Sequence, residues 1–459
     1  MDYHKKFAPF IIATALFMEN LDATILNNAI PSIAYSFSIS PLSLKLALTS
    51  YLFSLGLLIP ISGYLSDRIG TKKILIFGIS VFCLGSLSCG FSSNLTHLVI
   101  SRIIQGVGGA FMMPVCRLIL LKTYEKSEVV TITNYITLPS LIGPAIGPAL
   151  GGFIVTYYSW SWIFFINIPF CLFLIVLSLL ILRNFQENDL PNMDYGGCAL
   201  FCLSSALAVI SLAILGERIY GIVPSLICMI LSFIFMRMYF VTSYGKKNPF
   251  IDIAIFNCRT FYVMLLGTFF SRSAIGGVPL LITLLLQIYH NYTPIESGTS
   301  LLFYAVGMAS AKFVVKSILK KLGYKVAIIS NTILVGISLG VLSLTVNMNN
   351  YLLINVLIFA QGFFTSLQFT YMNTLTYIDI PTKLVSIGTS LGAANQQISM
   401  SCGVAILAFL FGADESLSSG SSYQFVGLIL SIYLILSSVI FFWLDKSAGS
   451  LGIKDKGTN

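Results

Sequence analysis

Charge is what this sequence has least of. Only 9% of its 459 residues are charged, against about 25% in ordinary soluble domains, while 56% are hydrophobic. Such a chain cannot cover a water-facing surface, which excludes a soluble globule and points to a polytopic membrane protein. Histidine is scarce as well. His4, His97 and His290 lie far apart, so no histidine metal site is expected. The nine cysteines sit mostly in apolar runs without the paired spacing of a secreted scaffold. They read as small buried residues, with Cys198 and Cys202 on one helix face rather than in a metal site. There is no soluble domain of any size and no Gly-x-x-x-x-Gly-Lys-Ser/Thr loop. ATP is therefore not the expected energy source, and no cofactor is expected.

What is present is apolar length. Spanning a bilayer as a helix takes about 20 apolar residues. Fourteen such runs occur, at roughly 7–34, 44–65, 74–91, 96–121, 129–156, 160–182, 196–216, 219–242, 260–288, 297–319, 326–346, 351–377, 384–412 and 423–444. The net charge of +9 comes from 26 Lys+Arg against 17 Asp+Glu, and its position argues against nucleic acid as a partner. Lys5/Lys6, Arg68/Lys72/Lys73, Lys122/Lys126, Arg183, Lys246/Lys247/Arg259, Lys316/Lys320/Lys321/Lys325, Lys383 and Lys446/Lys454/Lys456 fall in alternate loops. Only Arg218 and the borderline Lys45 fall on the other side. Insertion keeps cations in the cytoplasm, so both termini are expected there, in a multi-pass protein of a bacterial inner membrane. The first run carries Glu19 and Asp22 and is too long for a cleaved signal, so it is read as a retained helix.

A weak repeat accompanies this layout. Lys-Lys-Leu-Gly-Tyr-Lys at 320–325 echoes Asp-Arg-Ile-Gly-Thr-Lys at 67–72, and Gln361-Gly362 echoes Gln105-Gly106, with Ile358 where Arg102 stands. Chance similarity is the alternative for so short a match. The register suits two parallel six-helix bundles, 1–183 and 260–446. Between them lies a segment with two additional helices, 184–259, opening on the polar stretch 184–197; a cytoplasmic tail, 447–459, follows. The expected fold class is an all-α membrane protein of fourteen helices.

The stretch from Gly63 to Lys73 closes one apolar run and opens the next within a few residues. Gly63 is expected to let neighbouring helices approach closely, and Gly70 to permit the reversal. Gly63, Asp67, Arg68, Gly70 and Lys72 match G-x-x-x-D-R-x-G-R-K, the loop between helices 2 and 3 of the major facilitator superfamily, which this chain resembles. Thr71 stands where the family usually has Arg. The resemblance implies a gating loop and two bundles that rock in alternating access. A charged turn that merely fixes topology is the alternative.

Three further stretches carry candidate chemistry. Glu19 and Asp22 are three apart near the middle of the first run and can share one face. An ionised carboxylate there costs roughly 2.5–3.5 kcal/mol, so it should face water or a cation, or hold a proton. Leu21-Asp22-Ala23-Thr24-Ile25-Leu26-Asn27 with Ala29-Ile30-Pro31 resembles the first-helix motif of the fourteen-helix drug:proton antiporters. On that reading Asp22, with Glu19, takes part in proton coupling; the alternative is a structural aspartate bonded to a neighbouring helix. Arg102, Gln105, Gly106 and Gly108 are similar to the fourth-helix motif R-x-x-Q-G-x-G, which implies a part for Arg102 in proton transfer, unless it snorkels as an anchor. Arg117, nearer the helix end, is expected to be an anchor or a partner of Asp67. Gly143, Gly147, Pro148, Gly151 and Gly152 match G-x-x-x-G-P-x-x-G-G, the antiporter motif of drug:proton exporters. Its alternative is a generic close-packed helix, and Asn134 replaces a further upstream glycine.

In the second half, Arg272 and Lys312, with amides at Gln361, Gln368, Asn373, Asn395 and Gln396, lie in apolar surroundings. Gln105, Arg272, Gln361 and Asn395 are the candidates for a substrate cavity, Arg272 first among them. The resemblance as a whole implies a transporter rather than an enzyme. It would exchange protons, its coupling ion, for lipophilic or drug-like small molecules across the bilayer, in a two-membrane cell with a periplasmic adaptor as a further partner. A same-fold exporter of a dedicated metabolite, siderophore or osmolyte stays open, as does a membrane sensor or scaffold.

Overall fold

Long apolar sequence has one open-ended way to satisfy its backbone in lipid, the helix. The computed structural model describes residues 3–187, 194–215, 222–246, 249–251, 253–348, 350–381, 384–413 and 419–445, and among these there are helices and no strand. In chain order they are α1 Tyr3–Phe37, α2 Lys45–Ile69, α3 Thr71–Gly90, α4 Leu95–Thr123, α5 Lys126–Tyr157, α6 Trp162–Ile181 and α7 Tyr195–Leu215. Then come α8 Ile222–Ser243, α9 Arg259–Tyr289, α10 294–322, α11 324–344, α12 Tyr351–Ile378, α13 Val385–Ala413 and α14 Gly420–Trp443. Each apolar run read from the sequence thus has a helix over it. Among the described residues, eleven continuous helical stretches are long and apolar enough to cross a membrane, with α10 and α11 counted as one. Of the residues used above, 188–193, Arg218, Lys247, Lys383 and 446–459 lie outside the described residues, as do the side chains of Lys126 and Asn134.

Two of the connections are single glycines. Gly70 (φ +113°) alone separates α2 from α3, and Gly323 (φ +70°) alone separates α10 from α11. Both stand in the echoing hexapeptides, so the repeat is one of backbone conformation as well as of letters. Any other residue would be strained there. Elsewhere the chain supplies caps: the side chain of Asn94 accepts from His97 N (2.8 Å) to start α4, and that of Asn350 from Leu353 N (3.1 Å) to start α12.

The chain divides into two compact units. One comprises Met1–Asp194 with Tyr292–Thr299, the other Tyr195–Asn291 with Ser300–Asn459. In the first, small residues set helix spacing. A methyl at Gly85 of α3 would stand 2.5 Å from Gln105 N of α4, and one at Gly106 would stand 2.7 Å from Tyr51 O of α2. Close approach of this kind holds helices together where lipid is as apolar as the side chains. Asn28 ties this unit further, donating to Pro148 O (2.8 Å) and accepting from Ser297 Oγ (3.0 Å).

In the second unit, α7 and α8 form a hairpin closed by serines seven residues apart. Ser204 and Ser232 each donate to the other's carbonyl (2.9 and 2.8 Å), and so do Ser211 and Ser225 (2.8 and 2.9 Å). The rest of α8 offers Leu226, Ile230, Phe233 and Val241 outward, a lipid-facing surface. Its lower end is clasped to the chain ahead of α9, where Tyr239 OH accepts from Ile251 N (2.9 Å) and donates to Ile251 O (3.0 Å). The core of the bundle proper gathers Met264, Ile328, Tyr371, Met372, Leu375 and Phe441.

Candidate functional site

The candidate site lies in the first unit, where α1, α3 and α6 each place one polar side chain, and α4 two, at a common point. Asp22 and Arg102 are each 1% exposed, with Arg102 Nη1 2.7 Å from Asp22 Oδ2. The other carboxylate oxygen accepts from Gln105 Nε2 (2.9 Å) and from Asn167 Nδ2 (2.8 Å). Gln105 Oε1 takes a second bond from Arg102 Nη1 (2.7 Å), and Gln105 Nε2 also donates to Ser86 Oγ (2.7 Å). Arg102 Nε reaches Ala47 O on α2 (3.4 Å), and the guanidinium lies over the ring of Tyr51, 4.1 Å from its centre. A buried ion pair is tolerated when its remaining lone pairs and protons are satisfied, and here three donors converge on Asp22.

Asp22, Arg102 and Gln105 thus meet between α1 and α4. Gln105 is fully buried in the ion-pair network, bonded to Arg102, Asp22 and Ser86. Arg102 does not snorkel; its charge ends on Asp22. Asn167 was not foreseen, although it is the single amide of the run 160–182. Ser86, one serine among several in α3, carried no signal. Glu19, one turn from Asp22, is also buried (5% exposed), but its Oε2 has no partner.

The glycines of α5 press on this same stretch of α1. A methyl at Gly143 would stand 2.8 Å from Phe17 O and one at Gly151 2.5 Å from Ile25 O, while one at Gly147 would strike the Thr24 side chain. Pro148 sits beside them with its carbonyl on Asn28, and Gly152 is buried one residue on. The motif therefore backs the helix that carries Glu19 and Asp22 along Phe17, Thr24 and Ile25.

The loop between α2 and α3 is built differently from its reading. Asp67 is paired with Lys122 at the end of α4 (2.6 Å), not with Arg117, and Lys122 also meets Glu187 (2.8 Å). Arg68 Nη1 donates to Tyr64 OH (2.9 Å) and Lys72 Nζ to Leu179 O (2.7 Å). Residues 184–187 run across this turn as a strap. Thr71 N donates to Phe185 O (3.0 Å), Phe185 N returns a bond to Thr71 Oγ1 (3.3 Å), and Glu187 N donates to Asp67 O (2.8 Å). Thr71 in place of Arg is explained by this buried pairing. Gly63 makes no close approach: nothing among the described residues lies within 4 Å of where its Cβ would stand.

In the second unit three of the cavity candidates are found, and Gln361 stands apart from Asn395 and Arg272. Gln361 is buried and accepts from Ser338 Oγ. Asn395 donates to Leu265 O (3.0 Å) and lines a cavity of about 10 Å³ with Thr268, Asn373, Thr376, Tyr377 and Gln396. Arg272 stands just behind it, donating from Nη2 to Asn373 Oδ1 (2.8 Å). Among the described residues no group of His, Cys, Asp and Glu could hold a metal; Cys198 and Cys202 lie on one helix face with their sulfurs 4.0 Å apart.

A membrane chain that is helical throughout its described elements, and in which a fully buried ion pair ties the first helix to the fourth, has the build of a transporter rather than of an enzyme. The model of the Major Facilitator Superfamily matches residues 12–404, and the chain belongs to that superfamily. The "Putative multidrug resistance protein MdtD" of Citrobacter koseri is 34% identical over 444 residues, covering 94% of this chain and 93% of that one. The proteins of the same name from Pectobacterium atrosepticum (441 residues, 94% and 94%) and Escherichia coli K12 (443 residues, 94% and 93%) are also 34% identical. Two solved structures share the fold. A bacterial homologue of the human lysosomal transporter Spinster, inward-facing and unoccupied, gives a TM-score of 0.68 at 12% identity over 99% of both chains. The POT family transporter PepTSo gives 0.71 at 14% identity over 98% of this chain and 99% of its own.

Proposed function

We propose that this transporter exports lipophilic compounds in exchange for protons, by alternating access of two six-helix bundles, 1–183 and 260–446, with both termini in the cytoplasm. The observation that carries the reading is the sealed pair Asp22–Arg102. An acid and a base that neutralise each other in dry packing form a switch whose state a single proton changes. Parting such a pair by force leaves a bare buried charge and costs about 3–5 kcal/mol. A membrane potential of 100 mV supplies about 2.3 kcal/mol per charge. The field of one proton is therefore too small to part the pair; neutralising Asp22 first removes the attraction and frees Arg102. Glu19, one turn away without a donor, is placed to receive that proton and pass it on. The names of the relatives at 34% identity favour drug-like cargo.

The test is dye efflux from proteoliposomes under an imposed pH gradient. Wild-type protein is expected to move dye uphill only when the gradient is present. Asp22→Asn, which keeps the shape and removes the titratable group, is expected to reach the membrane and lose this transport. Undiminished uphill efflux in Asp22→Asn would remove Asp22 from the coupling mechanism.

A further inference from the structure

Among the described residues each unit buries one arginine inside a helix, and of the two only Arg102 has a counter-ion. Arg102 has Asp22. Arg272 is likewise 1% exposed, thirteen residues and so about 20 Å along α9 from Arg259, and has no ion pair among the described residues. Its Nη2 donates to Asn373 Oδ1 (2.8 Å), its guanidinium carbon lies 4.2 Å from the centre of the Phe369 ring, and its Nε has no partner. The described carboxylates of this unit are held at the far end of α9. Asp379 accepts from Thr260 Oγ1 (2.9 Å), twelve residues or about 18 Å from Arg272, and Asp445 lies 3.4 Å from Arg259.

A second cation is bonded to the helix that carries Asn373. Lys312 of α10 donates to Thr370 Oγ1 (2.7 Å), and Thr370 is one turn before Asn373 on α12. Asn373 is itself exposed and lines the small polar cavity it shares with Asn395 and Gln396. Dipoles and a ring face can hold a buried cation, but they do not cancel its charge. A guanidinium with an open donor, a lysine one turn away and no acid between them form a site whose missing component is an anion.

We propose that Arg272, Lys312 and Asn373 form the anion-recognising pole of the cargo site, so that the compounds moved are amphipathic organic anions, a carboxylate, sulfonate or phosphate beside an apolar body. This rests on the reading of the chain as an exporter of lipophilic compounds and narrows its cargo. Asn373 stands at the exposed edge and hands the anion to Arg272 behind it. Arg272 then gains from cargo the counter-ion that Arg102 has from its own chain.

The test is equilibrium binding of two xanthene dyes of opposite charge, fluorescein and rhodamine 6G, to the full-length protein in phosphatidylcholine nanodiscs, read by fluorescence anisotropy without a pH gradient. Fluorescein is expected to bind at least about tenfold tighter than rhodamine 6G. Arg272→Gln is expected to weaken fluorescein by about tenfold or more and leave rhodamine 6G unchanged, while Arg272→Lys keeps part of the affinity. Asn373→Asp changes an exposed residue, supplies an internal counter-ion and is expected to abolish fluorescein binding in a folded protein. Phosphatidylglycerol in the nanodisc is expected to leave fluorescein affinity unchanged; competition by it would assign the pole to a lipid headgroup and overturn the cargo proposal. So would absent fluorescein binding, tighter rhodamine 6G binding, or equal fluorescein binding by wild type, Arg272→Gln and Asn373→Asp. No proton gradient enters this measurement, so a failure of gradient-driven efflux would sink the exporter reading and leave the anion site standing.

Discussion

Asp22 and Glu19 are the same chemistry one turn apart on α1, and their surroundings separate them. Asp22 receives Arg102, Gln105 and Asn167, whereas Glu19 Oε2 receives nothing. Asp22→Ala leaves Arg102 buried without a counter-ion and is expected to cost about 3–5 kcal/mol, read as a fall in the apparent melting temperature in detergent. Glu19→Gln replaces an undonated acid by a neutral group of the same shape and is expected to leave that temperature unchanged or raise it, while impairing proton-driven efflux. A loss in Glu19→Gln as large as in Asp22→Ala would show that Glu19 is tied to a charged partner. From the sequence both acids were legible as candidates, because carboxylates in an apolar run stand out. Their difference was not, since it depends on which side of α1 faces α4 and α6.

At the scale of elements, glycines with similar standing in their motifs prove unlike in surroundings. Gly147 of α5 is pressed against Thr24 of α1, whereas Gly63 of α2 borders open space. Gly147→Val is expected to push α5 off α1 at an overpacking cost of about 1–3 kcal/mol, visible as a lower melting temperature and reduced efflux. Gly63→Ala is expected to change the melting temperature little. Equal tolerance at both positions would mean that α5 does not hold α1 in place. The loop after α2 teaches the same lesson. The sequence offered Arg117 as an anchor or as the partner of Asp67, whereas the partner is Lys122, five residues on. Only the observed rotation of α4 selects Lys122, and only the strap 184–187 accounts for Thr71.

At the scale of the whole molecule, the cargo's charge decides what energy is available. An anion leaving while a proton enters moves two charges in the same electrical sense, so 100 mV is worth about 4.6 kcal/mol per cycle. A monovalent cation leaving against a proton moves no net charge. With a potassium and valinomycin potential negative on the cargo side and no pH gradient, fluorescein efflux from proteoliposomes is expected to accelerate and rhodamine 6G efflux to stay at its basal rate. Equal responses of the two dyes would contradict anionic cargo carried with a proton.

The sequence by itself determined that this is a helical membrane protein of the major facilitator build, where its apolar runs lie, and that a glycine turn follows the second run. These follow from forces that act along the chain: oil accepts only apolar runs with paired backbones, and left-handed φ selects glycine. The tertiary structure alone decided that Arg102 closes on Asp22 from 80 positions away and Asn167 from 145, that Glu19 is left without a donor, and that Arg272 has no acid beside it. Those are matters of helix rotation and approach. A hydrogen bond exists only within about 3 Å, and hydropathy, which is blind to the angle a residue occupies around its helix, carries no record of that distance.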